Sequence, residues 1–201
     1  MFAILLLAAG HGRRFRAAGG DGCKLLAETG DSSTVLLRAY DVLAVTNWPI
    51  HVVTGAFDKE IRQALLGRDA NFICNPDGGS GLGSTIACGV KATPEADGWL
   101  VALGDMPFIR ADTILRVARR LEDGAALVFP AYKGKRGHPV GFSRRFYRDL
   151  LALDGDAGAR RILDAHPDAC IATDVDDAGV LRDVDLPSDL HEGTGGVPQQ
   201  I

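Results

Sequence analysis

The chain is built from short apolar blocks separated by polar, glycine-bearing stretches. Residues 3–9 are an unbroken apolar run, which reads as a strand buried on both faces, as in a parallel sheet. The run is too short to cross a membrane. Residues 34–48 carry apolar positions Val35, Leu36, Ala39 and Leu43 at helical spacing, with Ser32 or Ser33 as the cap and Trp48-Pro49 as the stop. Further strands are predicted at 50–55, 71–74, 98–103, 125–130, 139–142 and 180–184. Helices are predicted at 58–66, 84–91, 112–121, 144–153 and 157–164, with a terminal turn or helix at 186–190. Residues 193–201 are polar and glycine-rich and read as a disordered tail, which leaves 1–192 as a single domain.

Strand and helix alternate through most of this order. The expected fold class is therefore α/β, a mainly parallel sheet with helices on both faces. In such sheets ligands bind outside the carboxyl ends of the strands. Three segments follow strands directly: the loop from Gly10 to Lys24, the loop 75–83, and Asp105. All three are expected at one edge of the sheet.

Composition narrows the functional classes. A chain of 201 residues that is 46% hydrophobic can bury its own core. A net charge of -4 argues against a general nucleic-acid binder. The cations are instead concentrated at 13–16 and 133–136, as a small anionic substrate requires. Cys23, Cys74, Cys88 and Cys170 are scattered and form no Cys-x-x-Cys pair, so neither a disulfide framework nor a zinc site is indicated, and a cytoplasmic setting fits. The N-terminal run lacks the basic flank of a signal peptide, and no later stretch suits a membrane span.

The candidate chemistry starts in the first loop, with Gly10, Gly12, Arg13, Arg14, Gly19, Gly20, Gly22 and Lys24. Glycines permit close backbone approach to a phosphate, free N–H groups can cradle it, and the cations supply charge. The loop lacks the third glycine of a dinucleotide fingerprint and the spacing of a P-loop. Asp105 ends a hydrophobic strand, where it either holds Mg²⁺ or caps the following helix. Gly81-Leu-Gly-Ser84-Thr85 offers a helix N-terminus, as an anion or base cradle or as an ordinary cap. His138, before Pro139, either contacts an acceptor or packs beneath its loop. Asp183 and Asp185 alternate on a predicted strand, so only one is expected to face the site; Asp185 is either a second metal ligand or a helix cap. His11 sits in the first loop without an assigned role.

Taken together, these stretches resemble the MobA/MocA-like nucleotidyltransferases, and most closely their molybdenum cofactor cytidylyltransferase branch. The matching motifs are Leu7-Ala8-Ala9-Gly10-x-Gly12-x-Arg14, Lys24-Leu-Leu, Asn75-Pro-Asp77, Gly81-Leu-Gly-Ser84-Thr85, Gly104-Asp105-Met-Pro107, Gly137-His138-Pro139-Val140 and Asp183-Val-Asp185-Leu-Pro187. The resemblance implies a Rossmann-like three-layer sandwich of the nucleotide-diphospho-sugar transferase type. It implies Mg²⁺ on Asp105, triphosphate contacts from Arg14 and Lys24, and an acceptor side at His138 and Pro139. It further implies transfer of CMP from CTP to molybdopterin, with a molybdenum hydroxylase as a possible client. The alternatives are a sugar- or alditol-phosphate nucleotidyltransferase and a non-catalytic cofactor-insertion protein. Two departures stand out. The spacer 15–23 is longer than the family's, and Leu186 stands where threonine is common.

Overall fold

The computed structural model describes residues 1–30, 33–77, 81–156 and 158–190. The predicted tail 193–201 and the cap candidate Ser32 lie outside these residues. The first part of the chain runs β1 (Ala3–Ala8), α1 (Arg13–Ala17), α2 (Val35–Leu43), β2 (Ile50–Thr54), α3 (Asp58–Ala64), β3 (Ala70–Cys74), α4 (Leu82–Ala92) and β4 (Gly98–Leu103). It continues through α5 (Ala111–Glu122), β5 (Leu127–Tyr132), β6 (Lys135–Arg136), β7 (Val140–Ser143), α6 (Tyr147–Leu151), α7 (Arg160–Ala165) and β8 (Cys170–Asp174). The sheet order is β3-β2-β1-β4-β7-β5-β6, with β8 also paired to β5. β1 pairs in parallel with β2 and β4, β2 with β3, and β5 with β8; β7 runs antiparallel between β4 and β5. The expected mainly parallel α/β sandwich is present.

Alternation along β1 shows why its sequence is apolar throughout. Ile4, Leu6 and Ala8 enter one core, with Leu36, Val52, Leu100 and Val117. Ala3, Leu5 and Leu7 enter the other, with Val53, Ile86, Trp99 and Phe142. Every residue of β1 is buried, so neither face tolerates a polar side chain. At ~25 cal/mol per Å² of apolar surface, a fully buried leucine contributes about 1.5–3 kcal/mol, which makes this central strand a principal anchor of the sheet.

Several predicted elements differ. Residues 180–184 are not a strand. A 3₁₀ turn (Ala178–Leu181) precedes an extended segment, and Val180 and Val184 are buried from that irregular path. The last strand is β8, whose Ile171 and Ala172 face solvent and so lacked a clear period-2 signal. The helix predicted at 34–48 ends at Leu43, followed by a 3₁₀ turn and by Asn47 in the left-handed region (φ 58°). Its cap is Thr34, which accepts from the Leu37 N–H at 3.2 Å, rather than Ser33. The helix predicted at 144–153 divides into a 3₁₀ turn (Arg144–Phe146) and α6. Among the described residues no helix is long and apolar enough to cross a membrane.

Candidate active site

The site forms where β1 and β4 end side by side. The Gly104 N–H donates to the Leu7 carbonyl at 2.9 Å. A Cβ on residue 104 would lie 2.9 Å from that same oxygen, so this contact needs glycine. The next residue, Asp105, is thereby held against the loop that leaves β1. On the loop side, Leu25 is buried and fixes the turn Lys24–Leu26, while the Lys24 stem lies under Gly12, which has φ 61°. Lys24 Nζ donates to Asp105 Oδ2 at 2.7 Å and to Asp185 Oδ1 at 3.3 Å. Arg14 Nη1 donates to Asp185 Oδ2 at 2.8 Å. The Val184 N–H donates to the Asp105 carbonyl at 2.9 Å, which is what brings Asp185 to the edge from a distant part of the chain.

The electrostatics follow from this geometry. Burial acts to lower the Lys24 pKa, but Asp105 and Asp185 outweigh it and hold the ammonium above its ordinary value. Burial acts to raise the Asp185 carboxyl, and Arg14 and Lys24 overcome it, leaving a depressed pKa. Asp183 is pushed up, first by the protein crowded around its carboxyl and then by Asp105 and Asp185, although the residue reaches solvent. Both aspartates of the Asp183-Val-Asp185 stretch therefore feel the site, against the expectation that only one would face it: residues two apart on an extended segment share a side.

Asp105 has one more property. Its Oδ1 is buried and has no hydrogen-bond partner. An anionic oxygen in that state calls for a cation. Among the described residues no group of three His, Cys, Asp or Glu side chains could hold a metal alone. Mg²⁺ is an ion that takes one or two carboxylates together with waters and substrate phosphates. The oxygens of Asp105 and Asp185 are the donors that fit.

The capping alternatives resolve elsewhere. Asp177, not Asp105, caps α5: its Oδ2 accepts from the Arg110 N–H at 2.9 Å and from the Thr113 hydroxyl at 2.7 Å, while Oδ1 accepts from the Gly179 N–H at 2.9 Å. Asp189, not Asp185, accepts from the N–H groups of Asp185 and Leu186. Helix α4 begins two residues earlier than predicted, so Ser84 and Thr85 lie inside its first turn and both donate to the Gly81 carbonyl. Gly81 and Gly83 answer to packing. A Cβ on Gly81 would sit 2.3 Å from the Gly155 carbonyl group, and one on Gly83 would sit 2.4 Å from the Asp154 oxygen. The Gly83 N–H already donates to the Gly155 carbonyl at 2.8 Å, so this donor at the α4 terminus is occupied by the chain itself.

The longer spacer 15–23 is a side excursion. It forms α1, which sends Phe15 into the core; Gly20 lies beneath that ring, where a Cβ would come within 2.2 Å. The chain then returns through buried Cys23 to Lys24.

A cleft of about 620 Å³ covers the network. Leu7, Ala9, Gly10 and Gly12 line it from the β1 side, with His11, Arg13 and Arg14. Lys24, Gly81, Thr85, Asp105 and Asp185 complete the predicted residues on its walls. Ala8 points into the core instead. Asn75 is buried, bonding the Asp77 N–H and Thr85, and Ser84 is not on the wall. A second cavity of about 610 Å³ adjoins it and shares Leu82 and Leu103. His138 lines this second cavity; Pro139, joined to it by a cis peptide bond, is buried behind the lining. The His138 Nδ1 is sealed from solvent without a partner, and burial holds the imidazole below its ordinary pKa despite nearby Asp105. Sequence reasoning missed Asp156 on the cleft wall and the supporting role of Asp177. Neither had a motif around it.

Comparison with known proteins finds relatives in both sequence and structure. The bifunctional protein GlmU of Pseudomonas entomophila is 31% identical over 120 residues, covering 60% of this chain and 25% of that protein. The chain thus spans about a quarter of the length of that curated relative. Rv0371c from Mycobacterium tuberculosis H37Rv superposes with a TM-score of 0.76 at 26% identity, covering 94% of both chains. Its homologue from Mycobacterium sp. strain JC1 gives 0.80 at 27% identity, covering 94% of this chain and 92% of that one. The family model for the MobA-like NTP transferase domain matches residues 4–170. With most of β1, the cationic loop, Asp105 and His138 inside that span, the chain belongs to the MobA-like NTP transferase domain family.

Proposed function

We propose that residues 1–192 act as one Mg²⁺-dependent nucleotidyltransferase domain that moves CMP from CTP to the phosphate of molybdopterin cofactor and releases pyrophosphate. The observation that carries this reading is the 2.7 Å contact of Lys24 Nζ with Asp105 Oδ2, which joins the cationic loop to an acidic strand tip whose other oxygen lacks a partner. Asp105 and Asp185 would hold the metal. A Mg²⁺ ion held there would supply Lewis-acid charge stabilisation to the phosphates. Lys24 and Arg14, now paired with carboxylates, turn toward the triphosphate and offset charge growing on the leaving pyrophosphate. The acceptor, in the adjoining cavity, presents an ionised phosphate oxygen. A bond forms from that oxygen to the α-phosphorus as the bond to the bridging oxygen breaks. No general base is needed, and positioning dominates. The choice of CTP rests on the resemblance of the Leu7-Ala8-Ala9-Gly10 start to the cytidine-using branch; Ala9 stands on the cleft wall. The four free cysteines suit a reducing cytoplasm, and a molybdenum hydroxylase would receive the product.

The test is pyrophosphate release measured with Mg²⁺, each NTP in turn, and the cofactor. CTP should turn over fastest. Turnover with GTP but not CTP rejects the base, and a sugar 1-phosphate that outperforms the cofactor rejects the acceptor. Tight cofactor binding without pyrophosphate release makes the protein a carrier instead.

A further inference from the structure

Beside the nucleotide cleft, the second cavity has two chemically different ends. Its body is apolar, with Ile86, Val101, Val140 and Phe142 among the lining residues. One end meets the nucleotide cleft at Leu82 and Leu103, which line both, and His138, whose sealed Nδ1 has no partner, is among the lining residues. Cations gather among the lining residues of β6 and α7: Lys135, Arg136 and Arg160 against the single carboxylate of Asp164. Arg136 Nη1 lies 3.0 Å from Asp164 Oδ1, and Arg160 Nε lies 3.5 Å from Asp164 Oδ2. The Arg136 guanidinium also sits 4.9 Å from the centre of the Phe129 ring, which fixes its plane. One carboxylate thus serves two guanidinium groups, and a positive excess remains.

We propose that Arg136 and Arg160 bind a second anionic group of the acceptor, and that Asp164 is the resident counter-ion which that group displaces. The acceptor is then a molecule with its reacting phosphate at the Asp105 end, an apolar or flat body, and a further anion at the arginine end. An uncharged sugar ring leaves the arginines unused. The exchange is cheap, because Asp164 is 54% exposed and an ion pair that open to water is worth about 1 kcal/mol or less. Guanidinium groups suit the task, since their fork geometry matches carboxylate or phosphate oxygens in pairs. The assignment of the reacting end rests on the nucleotidyltransferase reading above; the anion site itself does not.

Inorganic phosphate is the probe. With ¹⁵N-labelled arginine, the Nε–Hε signals of Arg136 and Arg160 should move together and saturate on titration. Asp164→Asn should tighten binding about fivefold, the worth of one exposed ion pair. Arg160→Glu, at a site 85% exposed and therefore tolerant, should abolish saturation while the amide spectrum stays dispersed. Linear, non-saturating shifts, or saturation unchanged in Arg160→Glu, overturn the proposal. A thermal-shift titration with CTP and Mg²⁺ on the same protein separates the two readings. No stabilisation by CTP sinks the nucleotide assignment and leaves a saturable arginine site standing.

Discussion

Asp105 is the residue on which the proposed chemistry turns, because its two oxygens have different fates. One is gripped by Lys24 at 2.7 Å and the other is buried and bare. Asp105→Asn keeps the shape and removes the charge. Lys24 retains Asp185 at 3.3 Å and the amide oxygen of Asn, so the fold should lose less than the roughly 3–5 kcal/mol of a buried pair broken outright, read from the denaturation midpoint. Pyrophosphate release should fall at least about 100-fold, the usual cost of deleting one electrostatic partner of a transition state. A variant that kept full turnover would remove Asp105 from the mechanism. Asp177 offers the contrast. It touches no wall of the cleft, yet it satisfies the N–H groups of Arg110 and Gly179 and the Thr113 hydroxyl while buried. Asp177→Ala strands three donors and should cost about 2–4 kcal/mol in chemical denaturation.

At the scale of elements, the fit of α4 against residues 154–156 sets where the cleft wall stands. A methyl on Gly83 would overlap the Asp154 carbonyl, a backbone atom that cannot swing away. Gly83→Ala should therefore destabilise by about 1–3 kcal/mol and weaken CTP binding by shifting Thr85. Strand β2 supplies a pH effect. Burial of His51 lowers its pKa below the ordinary 6.5, so the folded chain resists a proton that the unfolded chain accepts. Stability should be fully present above pH 6.5 and fall as pH drops from there toward the folded-state pKa. His51→Thr should flatten that slope in denaturation curves taken between pH 7 and 5. The same elements show what was legible in the sequence. β1 and β4 were plain because strands covered on both faces admit only apolar residues. β8 was hidden because it exposes Ile171 and Ala172, and residues 180–184 imitated a strand because Val180 and Val184 bury themselves from an irregular segment. Asp105 and Lys24 were readable from their places just after strands. The capping of α5 by Asp177 was not, since its partners Thr113 and Arg110 lie 64 and 67 residues away and only the fold brings them together.

For the whole molecule, the decisive quantity is the charge balance of the cleft. Arg13, Arg14 and Lys24 stand on the wall against Asp105, Asp156 and Asp185, and Asp183 adds further negative potential. A bare triphosphate entering that space meets Arg14 and Lys24 already paired and carboxylates that repel it. Under the proposed function, a chelated divalent ion would change the sign of that encounter, because the carboxylates would then face positive charge and Lys24 and Arg14 would be free to turn toward the phosphates. Metal and nucleotide should therefore bind as coupled ligands, each strengthening the other by the same factor. CTP with Mg²⁺ at a hundred times its dissociation constant should add about 2.7 kcal/mol of stability. In a chain of this length that raises the melting temperature by about 5–10 °C. The same CTP concentration with the metal chelated should give less than about half that shift, and Asp105→Asn should lose the metal-dependent part while keeping the remainder. Equal stabilisation with and without the divalent ion would mean that the unpartnered oxygen of Asp105 answers to something other than a metal.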